Sequence, residues 1–218
     1  MIAAFFDCDG TLTRTTVVDP LVWYQTSRLS SVQRLSWLAR LLLRAPALYL
    51  AERKDREAFV HLFFESYRGL RWDEVSAWHE EHFEETLRRR VVVDGLKTLR
   101  WHQDQGHSIV LVTGGLDFVV RPLAQWLTAD LIATRLEVKG GVLTGRVEGK
   151  PVVGEEKARR MQQLAAERGW VLRQCYAYGD SISDQQMLAS TGHPCAVNPD
   201  KALLRLAREK GWPIRYWR

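Results

Sequence analysis

The sequence predicts an α/β fold, a doubly wound parallel sheet with a helical insert after its first strand. Three observations carry this reading. Short apolar runs at residues 2–6, 108–112 and 174–178 each end on acidic, hydroxyl or glycine residues, as buried parallel strands do at their carboxyl ends. Helix-patterned stretches separate the later runs, and such alternation marks a parallel sheet covered on both faces. Residues 15–90 contain no run of that kind and repeat their apolar residues at helical spacing instead.

The first strand, Ile2-Ala3-Ala4-Phe5-Phe6, meets Asp7, Asp9 and Gly10 at once. In the insert, Leu35, Leu38 and Leu42, then Phe59, Leu62 and Phe63, then Trp72, Val75, Trp78, His79 and Phe83 recur at helical intervals. This pattern gives three or four helices with a packed core of their own. The boundaries fall near Thr13 and Val91, leaving residues 1–13 and 92–218 as the sheet-bearing core and 14–91 as the insert. Asp94 caps a helix to Gln105 that Gly106 stops. Ser108–Val112 is the second strand and runs into Thr113-Gly114-Gly115. A helix over Asp117–Leu127 follows, then a β-hairpin over Leu136–Val147 turning at Gly140-Gly141. A helix over Gly154–Arg168 ends at Gly169, and the strand Gln174–Tyr178 runs into Gly179-Asp180-Ser181.

Composition narrows the classes. The chain has 218 residues, 46% hydrophobic with nine tryptophans, too apolar for disorder and long enough for a sizeable core. Its 31 Lys+Arg stand against 26 Asp+Glu, net +5; the charges are interspersed and form no long basic stripe, which speaks against nucleic acid. No apolar run reaches the ~20 residues of a membrane span, because Arg40, Arg44 and Pro46 interrupt Leu35–Leu50. The N-terminus lacks the basic start and long apolar stretch of a signal peptide. Cys8, Cys175 and Cys195 are too few and scattered for a disulfide framework or a four-ligand zinc site; they read as reduced thiols of a cytoplasmic protein.

The strand ends hold the chemistry, as ligands bind at the carboxyl edge of an open parallel sheet. One loop offers Asp7 and Asp9, a second Thr113 and two glycines, a third Asp180 and Asp184, and Lys157 lies near a helix start. Four converging carboxylates repel one another unless a cation lies among them. An all-oxygen donor set without a histidine or cysteine cluster suits Mg²⁺. A lysine, a hydroxyl and free amides beside that ion are what a transferring phosphoryl group requires. One carboxylate can attack phosphorus while a second moves the proton.

The order of these residues resembles the haloacid dehalogenase (HAD) superfamily, with its Rossmann-like core. Asp7-Cys8-Asp9-Gly10-Thr11-Leu12-Thr13 is similar to its motif I, Thr113-Gly114-Gly115 to motif II, Lys157 to motif III and Gly179-Asp180-Ser181-Ile182-Ser183-Asp184 to motif IV. The helical insert after motif I resembles the cap of the phosphoserine-phosphatase-like subfamily (IB), and the hairpin also follows that subfamily's pattern. The resemblance implies Asp7 as nucleophile and Mg²⁺ ligand, Asp9 as general acid/base with its carbonyl on the metal, and Asp180 as a direct metal ligand. Thr113 and the Gly114 amide would hold the phosphoryl oxygens beside Lys157. Asp184 would hold a metal-bound water or Lys157, and Thr11 would shape the loop. The subfamily's phosphoserine enzymes carry an acid where Thr16 stands and often an asparagine at Ser183; with Asp19, Arg56 and Arg68 the nearest charged alternatives, L-phosphoserine is not expected as the preferred substrate.

The expected activity is hydrolysis of a small phosphorylated metabolite. Transfer to an alcohol acceptor, action on a lipid-headgroup phosphate and a catalytically idle regulatory role are the alternatives. His79-Glu80-Glu81-His82 fits no zinc-protease spacing and reads as a solvated or cap-packing face. Arg88-Arg89-Arg90 reads as a solvated hinge, and Cys8 as packing. Trp37–Tyr49, rich in Leu and Arg, reads as cap core because such a helix must bury its apolar face; contact with a membrane surface and mating with a second subunit as a homodimer stay open beside it.

Overall fold

The computed structural model describes residues 1–52 and 55–218 in full, and the helical backbone of 53 and 54. β1 (Ala3–Phe6) lies at the centre of a six-stranded sheet between β2 (Ser108–Leu116) and β6 (Tyr176–Gly179). β3 (Asp130–Thr134) forms one edge, and β7 (His193–Val197) and β8 (Ile214–Arg215) extend the other. All pairings are parallel. The three outer strands escape sequence patterning: β8 is two residues long, β7 opens on His193-Pro194, and β3 has only Leu131, Ile132 and Ala133 as an apolar run.

β1 is apolar throughout because both its faces are covered. Alternation sends Ala4 and Phe6 into one cluster with Leu111, Tyr178 and Val197, and Ala3 and Phe5 into another with Val110, Val112 and Ala177. α5 (Val93–Asp104) and α6 (Asp117–Trp126) cover the first face. α7 (Glu155–Arg168), α8 (Gln185–Ala189) and α9 (Lys201–Lys210) cover the second.

Between β1 and α5 the chain forms α1 (Asp19–Arg28), α2 (Ser31–Lys54), α3 (Arg56–Phe64) and α4 (Trp72–Glu81). The apolar interior of these helices is continuous with that of the sheet. Phe59, Phe63, Phe64, Tyr67 and Val75 belong to the same buried cluster as Phe6, Leu111 and Leu123, and Tyr67 meets Phe118 of α6 edge-on at 6.2 Å. A single layer of helices must bury its apolar side against something, and here α6 supplies the surface. The hairpin β4 (Leu136–Lys139) and β5 (Val142–Val147) docks on this insert: Leu143 N donates to Leu70 O at 2.8 Å, and Gly69 N donates to Leu143 O at 2.9 Å.

Two expectations need correction. α2 is cap core on one face only: Trp37, Leu41, Leu48 and Ala51 pack inward, whereas Val32, Leu35, Leu42, Leu43 and Leu50 are exposed. Its apolar residues lie all round the helix, while its neighbours cover one side. The arginine run is not simply solvated: the Arg90 guanidinium lies 4.5 Å over Trp23 and that of Arg88 5.0 Å over Trp126. These arginines sit where the chain returns to the sheet. There Thr13 pairs with Val91, Arg14 N donates to Arg90 O at 2.8 Å and Val92 N to Leu12 O at 2.9 Å. No helix among the described residues is long and apolar enough to cross a membrane.

Candidate active site

Strand ends set the acidic and glycine-bearing loops of the candidate site, and a helix start sets Lys157. After β1 the chain turns sharply, and the amides of Leu12 and Thr13 both donate to Cys8 O at 2.9 Å. Gly10 takes φ +84° at this turn, and a Cβ there would collide with the Asp180 carboxylate. Thr11 Oγ1 donates to Asp180 Oδ1 at 3.2 Å, tying the first loop to the third. β2 does not stop at Val112 as the sequence implies; it continues to Leu116, and its register against β3 slips between Thr113 and Leu116. Gly114 and Gly115 are the residues thrown out of the ladder, a bulge that turns their backbone toward the site. Gly154 N-caps α7, and Lys157 lies in the helix's first turn. Beyond β6, Asp184 Oδ2 accepts from the amides of Asp180 and Ser181, both at 3.2 Å.

These elements bring one cation against several carboxylates. Lys157 Nζ donates to Asp7 Oδ1 at 2.5 Å and to Asp184 Oδ1 at 2.6 Å, with all three side chains buried. Burial works against the ammonium, but the Asp184 and Asp7 carboxylates outweigh it and hold its pKa above the ordinary lysine value. Burial pushes the Asp7 carboxyl well above its usual range despite the opposing field of Lys157. Asp180 is pushed up to about 6 by burial and then by the Asp184 charge.

Carboxylate oxygens of Asp7, Asp180 and Asp184 lie within 4.8 Å of one another. Three carboxylates against one ammonium leave two negative charges uncompensated. A set of hard oxygen donors with that residual charge fits a divalent cation such as Mg²⁺. The Asp9 carboxylate stands outside the group and accepts from Thr15 Oγ1 at 2.6 Å, which in turn shares a 2.6 Å hydrogen bond with Thr13 Oγ1. Burial raises the Asp9 pKa, opposed by the Thr15 hydrogen bond and by Arg56.

Asp7, Asp9, Gly114, Lys157, Asp180 and Asp184 all line one cavity of about 490 Å³. Thr11 and Thr113 do not. Thr113 is fully buried and its Oγ1 accepts from Gly115 N at 2.9 Å, so its hydroxyl supports the bulge. The insert side of the cavity is Val17, Leu48, Phe59 and Val60, with Glu52 and Arg56 paired to each other. Sequence reasoning missed two supporting residues. Thr15 belongs to a threonine-rich run after the acid pair, which was its only signal. Asp200 N donates to Asp180 O at 2.8 Å while its carboxylate accepts from Ile182 N at 3.0 Å and caps α9 through Leu203 N at 2.7 Å. An acid ahead of a helical run could have pointed to it.

The histidines of the insert do not converge on a ligand. His79 is buried among Tyr24, Trp78 and Phe118, and burial pushes its pKa down to about 3. His82 stacks on Trp78 at 4.3 Å. Cys8 is buried, and that burial raises its thiol pKa well above normal.

A buried lysine among carboxylates, at the carboxyl edge of a parallel sheet and beneath an insert from the first strand, defines a phosphatase-type hydrolase. Residues 4–189 match the haloacid dehalogenase-like hydrolases, and the chain belongs to that family. Over 218 residues it is 33% identical to the "Inhibition of morphological differentiation protein" of Streptomyces azureus, covering 97% of this chain and 77% of that protein. It is 35% identical over 147 residues to a phosphoserine phosphatase of Mycobacterium tuberculosis, covering 66% of this chain and 47% of the relative. The chain thus spans about half the length of the mycobacterial relatives it matches. Among solved structures, a protein of unknown function from Bordetella pertussis Tohama I has a TM-score of 0.82 at 28% identity, covering 98% of this chain and 97% of that one.

Proposed function

We propose that the chain hydrolyses small phosphate monoesters through a phosphorylated Asp7, with residues 14–91 acting as a cap over the site. The observation that carries this is the pairing of two carboxylates with opposite surroundings. Asp7 is bound to a buried ammonium, whereas Asp9, two residues on and lining the same cavity, is held by the Thr15 hydroxyl instead. Burial raises the pKa of both, but only Asp7 has an ammonium in contact to oppose that rise, which suits Asp7 to nucleophilic attack and leaves Asp9 to carry the proton.

In the first step an Asp7 oxygen bonds to phosphorus, the P–O bond to the leaving group breaks, and Asp9 gives that oxygen its proton. In the second, Asp9 takes a proton from water, the water oxygen bonds to phosphorus, and the P–O bond to Asp7 breaks. Lys157 neutralises Asp7 and the incoming phosphoryl oxygens throughout, and the Gly114 amide offers them a donor. Asp7, Asp180 and the Asp9 carbonyl would hold Mg²⁺, with Asp184 keeping Lys157 in place; when bound, the ion neutralises charge on the phosphoryl group. Thr16 and Asp19 support the reading against phosphoserine, because the Asp19 carboxylate accepts from Thr16 N at 2.6 Å and from Thr16 Oγ1 at 2.9 Å, closing the local turn.

The test is acid quenching during turnover of a radiolabelled phosphomonoester. Wild type should retain label that hydroxylamine releases, as an acyl phosphate does, and Asp7→Asn should retain none. EDTA should abolish both label and turnover. Label on a different residue, or turnover that survives EDTA, would remove the mechanism.

A further inference from the structure

The feature left unused is the outer face of α2. Val32, Leu35, Leu42, Leu43 and Leu50 are all exposed, Leu43 by 81%, and the exposed Ala39 and Pro46 fall among them. At 100° per residue these seven positions occupy an arc of about 100°, and they run about 27 Å along the helix. The opposite side carries Trp37, Leu41, Leu48 and Ala51, which pack into the molecule. A surface helix normally keeps its outer face polar, and an uninterrupted apolar stripe of this length marks a contact surface.

Charge identifies what it fits. From Pro20 to Ala51 the sequence has no Asp or Glu but four arginines. Arg28 pairs with Glu74, and Arg44 is held by Ser66, Leu62 O and Glu65. Arg34 and Arg40 have no carboxylate partner among the described residues, Arg40 turning only to Ser36. On the same projection Arg40 lies about 60° beyond one edge of the stripe and Arg34 about 80° beyond the other, on the two shoulders next to the packed side. Two copies meeting through this face would line their seam with arginines, and the one acid of the helix, Glu52, is already paired with Arg56. A layer of anionic headgroups over hydrocarbon satisfies both the stripe and its flanks.

We propose that α2 docks the protein on an anionic membrane surface, its apolar stripe entering the headgroup–acyl boundary and Arg34 and Arg40 reaching the lipid phosphates. The last turns of the same helix line the catalytic cavity with Leu48, Tyr49 and Glu52, so a docked molecule holds that cavity beside the headgroups. This inference does not depend on the catalytic mechanism.

Co-sedimentation with vesicles tests it. The full chain should bind phosphatidylcholine–phosphatidylglycerol vesicles roughly thirty-fold more strongly than phosphatidylcholine alone, the share expected of two arginines, and salt should weaken the binding. Arg34→Gln with Arg40→Gln should remove that preference. Leu42→Glu with Leu43→Glu should abolish binding while leaving p-nitrophenyl phosphate turnover and the circular dichroism spectrum unchanged. The arginine pair keeps the test decisive if the glutamates disturb folding. No binding to anionic vesicles, or binding that neither pair of substitutions weakens, overturns the proposal. So does a dimer in sedimentation equilibrium that Leu43→Glu dissociates without any vesicle binding, which would give the face to a second copy.

Discussion

The sheet and the insert dispose of their unusual residues in opposite ways. In the sheet, the out-of-place groups are charges drawn inside: Asp7, Lys157 and Asp184 are buried, and each has a partner. In the insert they are hydrocarbons left outside, with Leu35, Leu42, Leu43 and Leu50 in solvent. Buried charge without a matching partner is strongly destabilising, so its presence at the strand ends points to chemistry. Exposed hydrocarbon in a continuous stripe points to a surface not covered by the chain itself. On the readings proposed above, the two regions serve different functions, reaction in one and attachment in the other.

The comparison can be broken most sharply at Asp7. Asp7→Asn conserves shape, so it should keep the melting temperature near wild type while turnover falls by at least ~10³-fold; substantial residual activity would show that the buried charge is structural. Lys157→Met should lower the urea unfolding free energy by about 3–5 kcal/mol, since Asp7 and Asp184 lose their shared cation. A negligible change would mean that the cluster's charge is compensated by other means.

Within the insert, Phe63→Ala should cost about 3–5 kcal/mol because the ring is fully buried and packs against Phe59, Phe64 and Tyr67. Leu43→Ala should shift stability by no more than about 0.5 kcal/mol. Equal effects at these two positions would erase the distinction between the inner and outer sides of the helical layer.

Both regions also bury neutral histidines. Burial holds His79 down to about 3 and His102 down to about 4, against an ordinary value of 6.5. Below pH 6.5 each of these two rings therefore binds more protons in the unfolded chain than in the native one. The stability contributed is full above that pH and is lost as pH falls toward the native values, with a slope of up to about 1.4 kcal/mol per pH unit for each ring. Melts of His79→Leu just below pH 6.5 should show a shallower decline than wild type, and an unchanged decline would assign the pH sensitivity elsewhere.

Much of the candidate site was legible because strand ends are local signals: an apolar run bordered by an acid and a glycine. Asp7, Asp9 and Asp180 each follow that pattern, and all line the same cavity. Other parts depend on relations between distant segments. The continuation of β2 through Gly114 and Gly115 is visible only against β3, whose short apolar run is a weak signal. Asp200 follows a strand that opens on His193-Pro194, so its link to Asp180 had no recognised element to stand on. The period of α2 was readable, but its inward face was not. Leucines occur all round that helix, and only the packing of α3 against one side decides which remain outside.

The paired crossing at Leu12–Arg14 and Arg90–Val92 has a modular consequence. Its hydrogen bonds bring the two ends of the insert together, so the intervening helices begin and finish at one place beside the sheet. Excising them would leave every strand of the six-stranded sheet with the same neighbours. A different set of helices could be spliced at those two points, provided it again covered Phe118 and the surrounding surface of α6. On the proposed reading of the insert as a cap, recognition is in this way open to redesign, by selection or by hand, without re-deriving the scaffold beneath it.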